Sequence, residues 1–235
     1  MTEIPSSLSI EVIHFPNKEQ GINKALQLLQ REVDGDTLLL LSGGSTPKDL
    51  YKRIVEAGDV KPRAAALVDE RFGPPMHPDS NEKMIDETGL FYYFGSLGIP
   101  VLTVLEENED FAQKTTDYNR EMQIEFEDLP KKVAVTGLGE DGHTAGIFPN
   151  RGDFTNPIFW NEYKDKYVAG IKDPHGKYKE RITLTPKALS EVDVFIVLAF
   201  GKEKRTAMQR LMQGRESIET LPVMIFHKAA REGKK

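Results

Sequence analysis

TLLLLSGGSTPKDL, residues 37–50, joins an unbroken apolar run to two glycines, two hydroxyls and a proline. A continuous apolar run of this length reads as a strand covered on both faces, the condition of a strand inside a parallel sheet. Ser45 or Thr46 can cap the helix that follows, Pro47 suits its first turn, and Gly58 can close it. The turn between strand and helix has a second reading. Gly43 and Gly44 permit unusual dihedrals and a close backbone approach, and unpaired N–H groups at a helix start suit an anion. A capped turn with no ligand and a phosphate seat both fit this stretch.

The same alternation extends in both directions. Ile22, Leu26, Leu29 and Val33 recur at helical spacing, which predicts a helix over about residues 18–33. AAALVDE is a second buried strand, followed by a helix from about Ser80, which with Asn81 can cap it, to Phe91. VLTVLE is a third strand, residues 109–127 a long helix, and KKVAVTG a fourth strand. YVAGI and ITLT read as shorter strands, VDVFIVLAFG as a strong late one, KEKRTAMQRLMQG as a helix and LPVMIF as a final strand. Strands alternating with helices predict an α/β fold: a doubly wound, mostly parallel sheet with helices on both faces, Rossmann-like. With no repeat or linker, residues 1–235 are expected to form one domain. Residues 150–180 are the least regular stretch, though WNEYKDKYVAGI is too aromatic for a disordered link.

Bulk properties exclude several classes. A net charge of −6 makes the chain a poor candidate for non-specific nucleic-acid binding, which needs a basic face, and the terminal AREGKK reads as a short solvated tail. No apolar run is long enough to span a membrane, and MTEIPSSLSI lacks the basic and apolar regions of a secretory signal, so a cytoplasmic location is expected. The absence of cysteine excludes disulfides, thiolate metal sites and cysteine nucleophiles.

In sheets of this kind ligands bind beyond the carboxyl ends of the strands. The polar and glycine-rich tips lie there: SGGSTP, DER, LGEDGHTAG and GKEK. SGGSTP is neither a Walker A loop nor GxGxxG. Asp69, Glu70 and Arg71 are either a surface ion pair or an arginine aimed into the cleft and held by neighbouring carboxylates. His77, among prolines, is structural or exposed. GLGEDGHTAGIFP is the sharpest stretch. Its glycines open space around His143, and Asp141 stands two residues away to orient it, so His143 is favoured as a general base. The spacing matches no zinc motif, and no metal is expected. No GxSxG element is present, so water is the simpler nucleophile. Arg181 and Lys204 are either surface charges or, with SGGST, a phosphate clamp.

SGGSTP, LVDERF with PDSN downstream, GLGEDGHTAGIFP, RITLT and GKEK, in this order, resemble the 6-phosphogluconolactonase family over about residues 15–225. That family is related to the glucosamine-6-phosphate deaminases. The resemblance implies a Rossmann-like, deaminase-like α/β fold. It implies hydrolysis of 6-phospho-D-glucono-1,5-lactone to 6-phosphogluconate, in the oxidative pentose phosphate route, without a cofactor. His143 would activate water, Asp141 would support the imidazole, and Arg71 would position the substrate or the developing oxyanion. Gly44, Ser45, Thr46, Arg181 and Lys204 would hold the 6-phosphate, with Gly43, Asp69, Glu70, Gly142 and Thr144 completing the binding set.

The sequence departs from the family pattern in places. Gly146 replaces a usual serine, and KDPHGKYKE, carrying His175 and Lys177, replaces a short lysine-proline-proline segment before RITLT. LPKK replaces the usual aspartate ahead of the fourth strand, and LPVMIFHKAAREGKK lacks the family's C-terminal tryptophan or aspartate-alanine helix. Deaminases resemble GxDGHIAFNEP, with a catalytic glutamate before the proline, where this chain has Phe148. Two other readings stand beside the lactonase: a deaminase of glucosamine 6-phosphate, and a non-catalytic sugar-phosphate-binding module.

Overall fold

Leu38 to Leu41 are completely buried, so both faces of strand β1 (Thr37–Leu41) are covered. The computed structural model describes residues 10–108, 110–149, 153, 161–174 and 176–231. The first nine residues, Trp160, His175 and the terminal EGKK, which parts of the sequence reading involve, lie outside them.

Strand β1 is the centre of a five-stranded parallel sheet of order β4-β2-β1-β5-β8. Its neighbours are β2 (Ala64–Leu67) and β5 (Lys131–Gly137), with Leu39 opposite both Ala65 and Val133. Strands β4 (Val101–Leu102) and β8 (Val194–Leu198) form the edges. From β1 the chain winds outward through β2 to β4, then returns to β5 and winds the other way to β8. The order therefore reverses between β1 and β5, and a crevice opens beyond their carboxyl ends.

Helix α1 (Lys18–Glu32) starts where Asn17 accepts a hydrogen bond from the Gln20 amide, and it buries Ile22, Ala25 and Leu29. Helix α2 (Lys48–Ala57) ends at Gly58, which takes the left-handed conformation a C-cap favours. Its start differs from expectation. Pro47 is the cap residue and no side chain caps the helix, so neither Ser45 nor Thr46 is used that way.

Four expected elements are corrected. AAALVDE is two strands in two sheets. Val68 donates its amide to Leu41 of the parallel sheet and accepts from Leu184 of a second, antiparallel sheet, so the chain crosses at that residue. The second sheet has the order β3-β7-β6, from β3 (Asp69–Arg71), β6 (Val168–Lys172) and β7 (Glu180–Leu184). The helix expected over residues 80–91 is two, α3 (Asn81–Asp86) and α4 (Leu90–Ser96), separated at Gly89 with φ 82°. Ser80 caps the first through the Lys83 amide. VLTVLE pairs only over Val101–Leu102, because the amides of Val104 and Leu105 turn away to Glu82 Oε1. LPVMIF is no strand. Pro222–Met224 is a 3-10 turn and Ile225–Arg231 a helix. Every residue of the run is buried, and a fully buried short run has no periodicity to separate strand from helix.

Helix α5 (Phe111–Asp128) braces the crossing point. The Tyr118 hydroxyl accepts from the Leu67 amide at 2.9 Å and donates to the Leu67 carbonyl at 2.7 Å. These bonds satisfy both backbone groups of Leu67, the last residue of β2, as the chain leaves the parallel sheet. Among the described residues no helix is long and apolar enough to cross a membrane.

Candidate active site

A cavity of about 200 Å³ occupies the crevice. The turn after β1 forms one wall. Gly44 has φ 92°, which an L side chain rarely adopts, and Gly43 lies against Asn81 so closely that a Cβ would sit 1.8 Å from Asn81 Oδ1. The Asn81 side chain is fixed there by donating to the Asp69 carbonyl at 2.6 Å. Ser45 and Thr46, neither of which caps the helix, line the cavity.

The loop after β5 forms the opposite wall. Asp141 Oδ1 lies 2.6 Å from His143 Nδ1 and also accepts the His143 amide at 3.0 Å. Burial alone would raise the Asp141 pKa. The His143 hydrogen bonds outweigh it and hold the carboxyl down to about 2, so it is ionised at neutral pH. A carboxylate at Nδ1 selects the tautomer with the proton on Nδ1 and leaves Nε2 as an acceptor. The imidazole packs on the Phe148 ring at 4.5 Å. The loop is pinned at both ends, where Thr144 donates to the Gly137 carbonyl at 2.9 Å and Thr183 of β7 donates to the Ala145 carbonyl. Over the described residues 138–149 no helix follows the strand, and the chain turns through an isolated Thr144–Ile147 bridge.

Gly139 makes room for the base. A Cβ there would lie 2.1 Å from His143 Nδ1. Gly139→Ala should therefore push the imidazole off Asp141 and lower kcat by about tenfold or more, with KM little changed. Steady-state kinetics beside the thermal midpoint separate that outcome from simple destabilisation.

The third wall comes from the antiparallel sheet. Alternate residues of a strand face opposite ways. Asp69 and Arg71 line the cavity, while Glu70 points into the protein and is fully buried. Its carboxyl oxygens accept the amides of Arg71, Asn81 and Glu82 at 2.6, 2.8 and 2.8 Å. Burial pushes its pKa up to about 8 against the pull of those amides. The placement expected for Glu70, in contact with a ligand, is thus corrected to a bracing position behind the wall. Arg181 is buried, lies 3.5 Å from Asp69 Oδ2 and rests on the Phe148 ring at 5.0 Å. Lys204 reaches the cavity from the 3-10 turn Lys202–Lys204 after β8.

The structure thus brings Gly43, Gly44, Ser45, Thr46, Asp69, Arg71, His143, Thr144, Arg181 and Lys204 to one cavity. Asp141 stands behind His143. Gly142 supports the loop from outside: its φ is 90°, its carbonyl accepts the Val223 amide, and a Cβ would meet Leu221 at 2.1 Å. Asn81 and Gly139 also line the cavity; the sequence marks Asn81 only as a cap, whereas Gly139 is one of the glycines expected to open space around His143. Asn81 Oδ1 is buried without a hydrogen-bond partner among the described residues, an acceptor left for a ligand. The Asn81 role has no local sequence signal beyond its place in PDSN. Three cations and one carboxylate line the cavity of a chain whose net charge is −6, so the site concentrates positive potential locally. Among the described residues no cluster of three acidic, histidine or cysteine side chains could hold a metal.

A crevice at the switch point of a parallel sheet, with a glycine turn, a cation set and a carboxylate-held histidine, defines an α/β protein built to act on a small anionic ligand. The chain belongs to the family described as glucosamine-6-phosphate isomerases/6-phosphogluconolactonase, whose model matches residues 18–233. It is 30% identical to a 6-phosphogluconolactonase of Nostoc sp. over 219 residues, covering 86% of this chain and 84% of that one. A solved 6-phosphogluconolactonase from Trypanosoma cruzi superposes with a TM-score of 0.72 at 21% identity, covering 96% of this chain and 92% of that one. A solved monomeric glucosamine-6-phosphate deaminase superposes with a TM-score of 0.68 at 16% identity, covering 93% of each chain. The fold is therefore shared by both activities and does not choose between them.

Proposed function

We propose that this protein hydrolyses 6-phospho-D-glucono-1,5-lactone to 6-phosphogluconate, with His143 as the base that activates water. The observation that carries the proposal is the His143–Asp141 pair, 2.6 Å apart, on the same cavity as Arg71, Arg181 and Lys204. The family and the name of the Nostoc relative support the substrate.

The residues divide the work as the chemistry requires. The 6-phosphate sits on the Gly44–Thr46 turn with Arg181 and Lys204, which anchors the ring. Anchoring makes the attack effectively intramolecular. His143 Nε2 takes a proton as water oxygen bonds to the lactone carbonyl carbon. Arg71 faces the oxygen on which negative charge develops. The tetrahedral adduct then collapses, the bond from C1 to the ring oxygen breaks, and the imidazolium returns its proton to that leaving oxygen. Asp141 stays ionised throughout and stabilises the imidazolium. No cofactor enters the balance.

Phe148 weighs against the deaminase reading. It holds the position where deaminases resemble a catalytic glutamate, and its ring is packed on His143 instead of offering a carboxylate. The test is to generate the lactone in place and follow its disappearance with and without protein. Opening no faster than the spontaneous rate would sink the proposal. Ammonia release from glucosamine 6-phosphate would transfer the site to the other branch of the family. Within the lactonase reading, Lys204→Ala should raise KM by about tenfold and leave kcat within about threefold, because it removes a contact to the unreacting phosphate.

A further inference from the structure

Arg71 and Arg181 are direct partners across the β3–β7 pairing. Like charges placed opposite one another repel, and without compensation the two side chains would splay. The Asp69 carboxylate offsets part of this at Arg181, and the group that faces both guanidiniums is Tyr178, in the loop that joins β6 to β7. Its ring centre lies 5.1 Å from the Arg71 guanidinium and 5.3 Å from that of Arg181. An aromatic face attracts a cation through its quadrupole, and here one ring serves two.

The ring is itself held in place. Lys177 Nζ lies 3.2 Å from Asp79 Oδ1 and 4.8 Å from the Tyr178 ring centre. Arg71 Nη1 donates to the Asp79 carbonyl at 2.7 Å. The Tyr178 hydroxyl and the Lys177 ammonium hold the exposed Asp79 carboxyl below the usual range. Inside the loop, the Asp173 amide bonds the Lys179 carbonyl and Lys179 Nζ bonds the Pro174 carbonyl. The loop is thereby fastened to the segment that carries Asp79, on the rim of the cavity. Tyr178 is not part of the cavity wall; the two arginines are. Arg71 Nε is buried with no hydrogen-bond partner among the described residues, so a donor of this pair remains for a ligand.

We propose that Tyr178 is a positioning residue that holds Arg71 and Arg181 side by side as a paired guanidinium seat for the anionic sugar ligand. The inference rests on the cavity being the phosphosugar lactone site. It places a determinant of substrate affinity in KDPHGKYKE, the segment in which this chain departs from the family pattern. A ring that pre-arranges both cations spares the ligand the cost of ordering them, so its removal weakens binding and also loosens Arg71 at the oxygen where charge develops.

Three variants test this: Tyr178→Phe, Tyr178→Leu and Tyr178→Ala. Tyr178→Phe keeps the π face and should leave KM and kcat within about twofold of wild type, while Leu and Ala should raise KM about tenfold and, through the displaced Arg71, lower kcat by about threefold or more. Calorimetric titration with inorganic phosphate and with 6-phosphogluconate should rank the variants in the same order. Thermal midpoints identify any variant that has lost its fold, and Leu preserves bulk where Ala does not. The proposal is overturned if Leu binds phosphate as well as Phe does, whether both match the wild type or both are impaired. Wild type that opens no lactone would instead defeat the reaction assignment, and the phosphate titration would still decide the role of Tyr178.

Discussion

His143→Ala should lower kcat for lactone opening by about 10³-fold or more, leaving the spontaneous reaction dominant, while the affinity for 6-phosphogluconate changes little. The split follows from the layout. The imidazole is held on the β5 loop by Asp141 at 2.6 Å and by Phe148 at 4.5 Å. The expected phosphate seat uses the turn after β1, Arg181 and Lys204, on separate elements. Removing the base therefore strips the proton acceptor and leaves the anchor. A factor of 10³ corresponds to about 4 kcal/mol of transition-state stabilisation. A variant that loses turnover and product affinity together would show that His143 binds rather than activates water.

Asp141→Asn sharpens the point. The amide can present its NH₂ to Nδ1, which favours the opposite tautomer and puts a proton on the nitrogen that must accept one. Its kcat should fall by about 10²-fold or more at unchanged fold. The acid side of the pH profile carries a related expectation. The folded pKa of Asp141 is depressed from 3.8 to about 2. Its stabilising contribution is therefore complete above about pH 4 and disappears as pH falls through about 2. Any loss of activity between pH 7 and pH 4 must report another group, and Asp141→Asn should not shift that limb by removing a titration.

How much of this was legible in the chain depends on the kind of signal. TLLLL, KKVAVTG and the helix after Asn17 announce themselves, because burial on two faces and the 3.6-residue period both leave marks in sequence. The crevice was legible for the same reason: polar, glycine-rich tips follow each apolar run, and the sheet order puts two of them together. AAALVDE could not reveal its break at Val68, since the change of sheet depends on hydrogen bonds to Leu41 and Leu184, which are distant in sequence. LPVMIF was misread because complete burial erases periodicity. Glu70 is a different case. The rule that neighbouring strand residues face opposite ways was available, and it separates Asp69 and Arg71 from Glu70 without any structure. Tyr178 was hidden in an irregular loop. Its importance arises only from the pairing register that sets Arg71 against Arg181.

The second large effect concerns that same Glu70, and it falls on stability. Glu70→Ala should lower the unfolding free energy by about 3–5 kcal/mol, since it strands buried amides whose lost partners cost about 1–3 kcal/mol each. Three amides lose their acceptor at once, and two of them, of Asn81 and Glu82, open helix α3, where N–H groups have no partner within the helix. For a chain of this size that loss lowers the thermal midpoint by about 10 °C. Glu70→Gln keeps one acceptor oxygen and should fall between wild type and alanine. Wild type and the glutamine variant also separate by pH. The folded pKa of Glu70 is raised from 4.5 to about 8, with burial as the main cause. Its contribution to stability is fully present below about pH 4.5 and is lost as pH rises through about 8. The glutamine variant has no such loss, so its deficit relative to wild type should narrow between pH 5 and pH 9. Midpoints measured across that range decide the matter: a constant gap would mean that Glu70 does not hold a proton in the folded protein. The consequence reaches the site as well. Glu70 fixes the backbone of Asn81, and Asn81 lies against Gly43 on the cavity wall. A Glu70→Ala protein held folded at low temperature should therefore bind 6-phosphogluconate more weakly, through a residue that never touches the ligand.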